Sequence, residues 1–283
     1  MDDYSPPQPK LSFRSHQKDE LQQLALKFFD KGACKWTDKQ LEAARELVYF
    51  FDQSHVRADF EQVSQEHLKH LVRFSELCFP NGLRGTQVEW INDDTAAQLL
   101  EHRKYALGVT SRVINSTDMR IRLNAGHQVL RTTAAHIKWP IYRDVLIHEL
   151  FHAFVSKYMR SDLKDGCGHG SLWQILAEAV ECRLEADLGW ANLDLERATS
   201  LVQEHKASKS TGLCLSQDDL LRCFGSGFVY NQSNNKLVSM LDIPRLWPKD
   251  YEAYVDTSWM REDGGRYLQL AEQRELWRNG MHP

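Results

Sequence analysis

Val145–Phe154, VLIHELFHAF, sets two histidines and a glutamate inside an apolar run. His148 and His152 are four apart, so a helix puts both imidazoles on one face, a turn from each other. Two imidazoles so placed can grip one Zn²⁺ at about 2.0–2.1 Å each. Glu149 reaches the same side. It could take a proton from a water acidified by the ion and pass it to a leaving amine. This is the H-E-x-x-H pattern. The plainer reading is an amphipathic helix with two incidental histidines. Leu146, Ile147, Leu150, Phe151, Phe154 and Val155 would bury that helix. Polar groups left unpaired there would be costly, which favours the metal reading.

A catalytic zinc usually takes three protein ligands and keeps one position open. His169 is the leading third ligand. It lies between Gly168 and Gly170, which let the backbone bend sharply toward an ion. The rival is a carboxylate on the following helix, Glu178 or Glu181. If His169 is the ligand, either glutamate could stand behind an imidazole and orient it. Cys167 is a softer option and reads as a bystander.

VLIHELFHAFV followed by GCGHGSLWQIL resembles the SprT-like zinc metallopeptidase family, which includes the Spartan proteases. MRIRLNAG, ahead of the helix, resembles that family's strand and following loop, so the likeness covers about residues 85–190. It implies an α+β, zincin-like domain with His148, His152 and His169 as zinc ligands and Glu149 as catalytic base. It implies a metalloendopeptidase acting on proteins, DNA-associated proteins among them. Many members carry a four-cysteine zinc ribbon after this domain, whereas Cys214 and Cys223 are the only cysteines past residue 200.

The elements that must position these groups are partly legible. Leu21, Leu24 and Phe28 keep helical spacing; Thr37 with Gln40 has the form of a capping box before a second helix. Val63, Leu68, Leu71, Val72 and Leu77 predict a third helix, stopping near Pro80-Asn81-Gly82. Strands are predicted at 86–91, 106–114 and 119–124, the last alternating cleanly between apolar and polar residues. They suggest a small antiparallel sheet, with 119–124 exposed and able to pair with an extended substrate. Trp139-Pro140 opens a long helix to about Met159, 161–170 is a loop, and 171–189 is a helix that Gly189 caps. Helices are also predicted near 194–206, 216–224 and 266–280, a linker at 207–212, and a hairpin near 227–241. The expected organisation is an arm without fixed structure at 1–16, the zincin-like domain with N-terminal helices at 17–205, and a C-terminal extension at 206–283 packed on it.

The 283 residues are 42% apolar and 26% charged, enough for a real core. A net charge of −4 argues against a chain that coats nucleic acid by bulk charge. No apolar run approaches a membrane span, the first twenty residues lack a signal peptide's apolar region, and six scattered cysteines suggest reduced thiols. An intracellular protein, nuclear or cytoplasmic and not secreted, is expected. Between 101 and 144, eight basic residues stand against three acidic ones. Arg120 and Arg122 could there contact DNA phosphates, although a solvated strand face is the plainer reading. His127 and His136 could line a cleft near the metal but read more simply as loop histidines. Trp90, Trp139, Trp173 and Trp190 read as core. The alternative to a peptidase is a non-catalytic zinc-binding module that holds a nucleic acid or protein partner.

Overall fold

The computed structural model describes residues 11–29, 36–79, 82–92, 94–95, 107–160, 168–190, 193, 195, 197, 200, 228–231 and 236–239. Cys167, Arg103, Lys104, the linker at 207–212 and the helices expected at 216–224 and 266–280 lie outside them. The chain packs as two units, Met1–Lys164 with Ile175–Leu195 and Asp165–Gln174 with Glu196–Pro283.

The protein is mixed α+β. Helices α1 (Lys18–Phe29) and α2 (Asp38–Ser54) lie where the apolar spacing predicts. The capping box forms: the Thr37 hydroxyl accepts the Gln40 N–H at 3.3 Å, and Gln40 Oε1 accepts the Thr37 N–H at 3.2 Å. A 3₁₀ turn (Ala58–Glu61) precedes the third expected helix, which is broken into α3 (Gln65–Leu71) and α4 (Arg73–Cys78). The break falls at Val72, whose carbonyl accepts both the N–H and the hydroxyl of Ser75, at 3.0 and 2.8 Å. Apolar spacing is blind to that local competition for a carbonyl.

The sheet holds β1 (Gln87–Ile91), β2 (Gly108–Arg112) and β3 (Met119–Asn124) in the order β1-β3-β2. β2 and β3 form an antiparallel hairpin, but β1 runs parallel to β3. The sheet is therefore mixed, correcting the expected antiparallel one. Hairpin patterning fixes only the β2–β3 pair, and the direction of β1 is set by the long connection that follows it. Strand 119–124 is also central, with both edges in ladders, so it cannot be the exposed strand that meets a substrate. The apolar face of β3 (Met119, Ile121, Leu123) is buried.

The short α5 (Gln128–Arg131) leads to α6 (Ala135–Tyr158), which packs against β2 and β3 on one side and α2 and α4 on the other. With partners on both sides it is buried nearly all round, only His136 and Ser156 being exposed. Trp139, Tyr142, Leu146, Ile147, Phe151 and Phe154 are fully buried. Each contributes roughly 1.5–3 kcal/mol relative to exposure. The helix starts at Ala135, earlier than Pro140 suggests. Tertiary anchors hold the extra turn: Ala135 N–H reaches Glu61 Oε1 at 3.3 Å, Lys138 Nζ donates to the Glu61 carbonyl, and Trp139 Nε1 donates to the Phe60 carbonyl at 2.9 Å. Pro140 costs only the hydrogen bond to the carbonyl of His136, an exposed residue.

Residues 11–16, expected within the arm, hold fixed contacts at the far end of α6. Arg14 and His16 donate backbone N–H groups to the carbonyls of Lys157 and Tyr158, and His16 pairs with Met159 in a parallel bridge. The helix α7 (Ser171–Leu188) ends at Gly189, whose φ of +69° suits the expected glycine cap. In the second unit, β4 (Phe228–Asn231) and β5 (Lys236–Ser239) pair as the predicted antiparallel hairpin. Among the described residues no helix is long and apolar enough to cross a membrane.

Candidate metal centre

Midway along α6, His148, Glu149 and His152 place polar side chains among its buried faces. There the four-residue spacing brings His148 Nε2 and His152 Nε2 to 3.1 Å. Two nitrogens about 2.05 Å from one ion at a tetrahedral angle stand about 3.3 Å apart, so this separation suits a shared metal. The other nitrogen of His148, Nδ1, lies 3.0 Å from the Leu195 carbonyl. A carbonyl only accepts, so Nδ1 carries the proton and Nε2 is the nitrogen whose lone pair can serve a metal. Burial pushes the His148 pKa down to about 4, against the opposing pull of the Leu195 carbonyl. The ring is neutral near pH 7, the state a metal requires.

His169 follows Gly168, whose φ of +101° makes the turn ahead of α7. Gln174 Nε2 donates to the His169 carbonyl at 3.2 Å. The Trp173 indole stands edge-on to the ring, centroids 5.1 Å apart at 87°. His169 is 8% exposed. One ring nitrogen from each of His148, His152 and His169 lies within 4.8 Å of the others, close enough for all three to hold one metal ion. Neither Glu178 nor Glu181 belongs to that group. Three neutral imidazoles suit a borderline ion such as zinc, copper or nickel better than calcium or magnesium, and leave a tetrahedral ion one open position.

Glu149 is only 7% exposed. Its Oε2 accepts the Thr110 hydroxyl at 2.7 Å, and that hydroxyl also lies 3.0 Å from the Glu149 carbonyl. Thr110 is on β2, two residues from Gly108, so both point to the same face of the sheet. At Gly108 a Cβ would sit 2.9 Å from Glu149 Cγ and 2.7 Å from Val145 Cγ1. Only glycine lets β2 lie this close to the glutamate. Thr110→Val keeps the shape and removes the donor. Losing a hydrogen bond to a charged group costs about 1.5–3 kcal/mol, so a reaction that uses this carboxylate should slow roughly 10–100-fold. A steady-state rate beside an unchanged thermal melt measures it, and an unaltered rate would release Thr110 from the role.

Glu181 reaches the site indirectly, its Oε1 accepting the Leu195 N–H at 3.1 Å. Arg120 and Arg122 lie on the opposite face of the sheet. Arg122 Nε pairs with Glu89 Oε1 at 2.7 Å, and Arg120 donates to Gln87 Oε1 at 2.9 Å through Nη2. Lys138 and Arg143 are buried, so these two of the eight basic residues are withdrawn from any exposed basic face. His136 stacks on His55 in the first turn of α6, about 18 Å along the helix from His148, and lines no metal cleft. Gly108, Thr110 and Leu195 escape sequence reasoning. Two act through small size and a hydroxyl on a strand, and the third through a backbone carbonyl that no residue type announces.

Comparison with protein-family models, curated proteins and solved structures finds no match to this chain.

Proposed function

We propose that the chain is a zinc-dependent metalloendopeptidase of the SprT-like kind, with a zincin-like arrangement of helix and sheet around its metal. The observation that carries this reading is the convergence of three imidazoles, two of them on the helix that also carries the buried Glu149. His148, His152 and His169 would hold the zinc. When bound, zinc acidifies water and polarises the scissile carbonyl. The chain's own groups account for the proton. Glu149, its Oε2 steadied by Thr110, takes a proton from the water that adds to the carbonyl carbon. As the C–N bond breaks, the same carboxylate gives that proton to the leaving amine nitrogen.

An extended protein segment is the substrate that suits the sheet. The outer edge of β2 carries no further strand among the described residues. β2 also holds Thr110 and Gly108 against Glu149, so backbone pairing along that edge would lay a peptide beside the carboxylate. DNA-associated proteins as a substrate class rest on the sequence resemblance alone. Zinc-loaded protein should cut casein, stop when a chelator removes the metal, and resume when zinc is returned. Fragment analysis on a gel reads the result, and cleavage that persists in metal-free protein would sink the proposal.

A further inference from the structure

We infer that Glu181 is a positioning residue for His148, acting through the backbone of Leu195. The inference rests on His148 being a metal ligand. After α7 the chain reverses at Gly189, where the Gly189 and Trp190 N–H groups return to the Glu185 and Leu184 carbonyls at 3.0 and 3.4 Å. The reversal brings Leu195, 1% exposed, back to both helices. Its N–H meets Glu181 Oε1 at 3.1 Å on α7, and its carbonyl meets His148 Nδ1 at 3.0 Å on α6. A residue pinned at both polar groups in a buried place has little freedom. Its carbonyl therefore fixes the rotation of the His148 ring and its tautomer together, and aims Nε2 at His152.

The N–H and the carbonyl of Leu195 belong to different peptide groups, joined only through its Cα. Glu181 thus acts by position, not by pushing charge along a single polarised peptide. That separates it from a directly ligating glutamate. Glu181→Gln keeps an oxygen that can accept the Leu195 N–H, so it should bind zinc like the wild type. Glu181→Ala removes the acceptor, and Glu181→Asp withdraws it by one methylene while keeping the charge. Both should weaken zinc about 10–100-fold, the usual effect of losing a partner behind a ligand.

The test uses the full chain. Zinc affinity is measured by competition with a coloured chelator, Co²⁺ absorption reports the geometry, and a thermal melt of the metal-free protein reports the fold. The supporting pattern is Gln near wild type, with Ala and Asp weakened and the Co²⁺ bands altered in proteins that still melt cooperatively. Should Ala fail to fold, Asp against Gln decides. Wild-type affinity in Asp and in any folded Ala variant overturns the inference. So does a Gln variant as weak as Asp, because Glu181 would then act through its charge. A wild-type protein that takes up neither zinc nor cobalt removes the metal reading itself, whereas tight wild-type binding with unaffected variants removes only Glu181.

Discussion

Glu149→Gln should leave the metal bound and lower peptide cleavage by about 10²–10⁴-fold, the usual worth of a positioned acid or base. Glutamine has nearly the same shape, and its amide oxygen can still accept from the Thr110 hydroxyl, so the side chain stays where Oε2 now lies. What it lacks is a basic oxygen. No histidine ligand is touched, so zinc content should remain near one per chain. Mass spectrometry of the intact protein gives the metal, and a casein assay gives the rate. Full activity in this variant would end the role assigned to Glu149. Loss of both metal and activity would place Glu149 among the ligands.

His169→Ala should act on the metal itself. Apparent zinc free energies in small sites run to about 10–16 kcal/mol near pH 7. Divided among the four ligands of such sites, that is about 2.5–4 kcal/mol for one imidazole, or about 10²–10³-fold in affinity. The effect should exceed that of Glu181→Ala, because one change removes a bond to the metal and the other only its alignment. Gly168 keeps the turn, and Gln174 still holds the residue 169 carbonyl, so the local backbone should survive. Unchanged zinc affinity would exclude His169 and return attention to a carboxylate on α7.

The chemistry of the site was more legible than its support. Four-residue spacing is a property of one helix, so His148 and His152 could be paired without knowing the fold. The same holds for the Thr37 cap and the alternation of β3, which are local patterns. His169 needed more, since only its glycine neighbours and the sequence resemblance pointed to it. The parallel direction of β1 was hidden, because it depends on the connection between 91 and 108 and not on any residue in the strand. The start of α6 was hidden too, because Glu61 and Phe60 anchor it from far along the chain. Thr110 and Leu195 gave no signal. A hydroxyl on a strand and a backbone carbonyl become recognisable only when folding puts them against Glu149 and His148.

X-ray absorption at the zinc edge, on protein loaded with one equivalent of zinc, reads the ligand set directly. Three imidazole nitrogens at about 2.0–2.1 Å, with no sulfur at about 2.3 Å, are the result expected from His148, His152 and His169. A sulfur shell, or a spectrum with fewer imidazoles in the wild type and no change on removing His169, would contradict the site on which the peptidase reading stands.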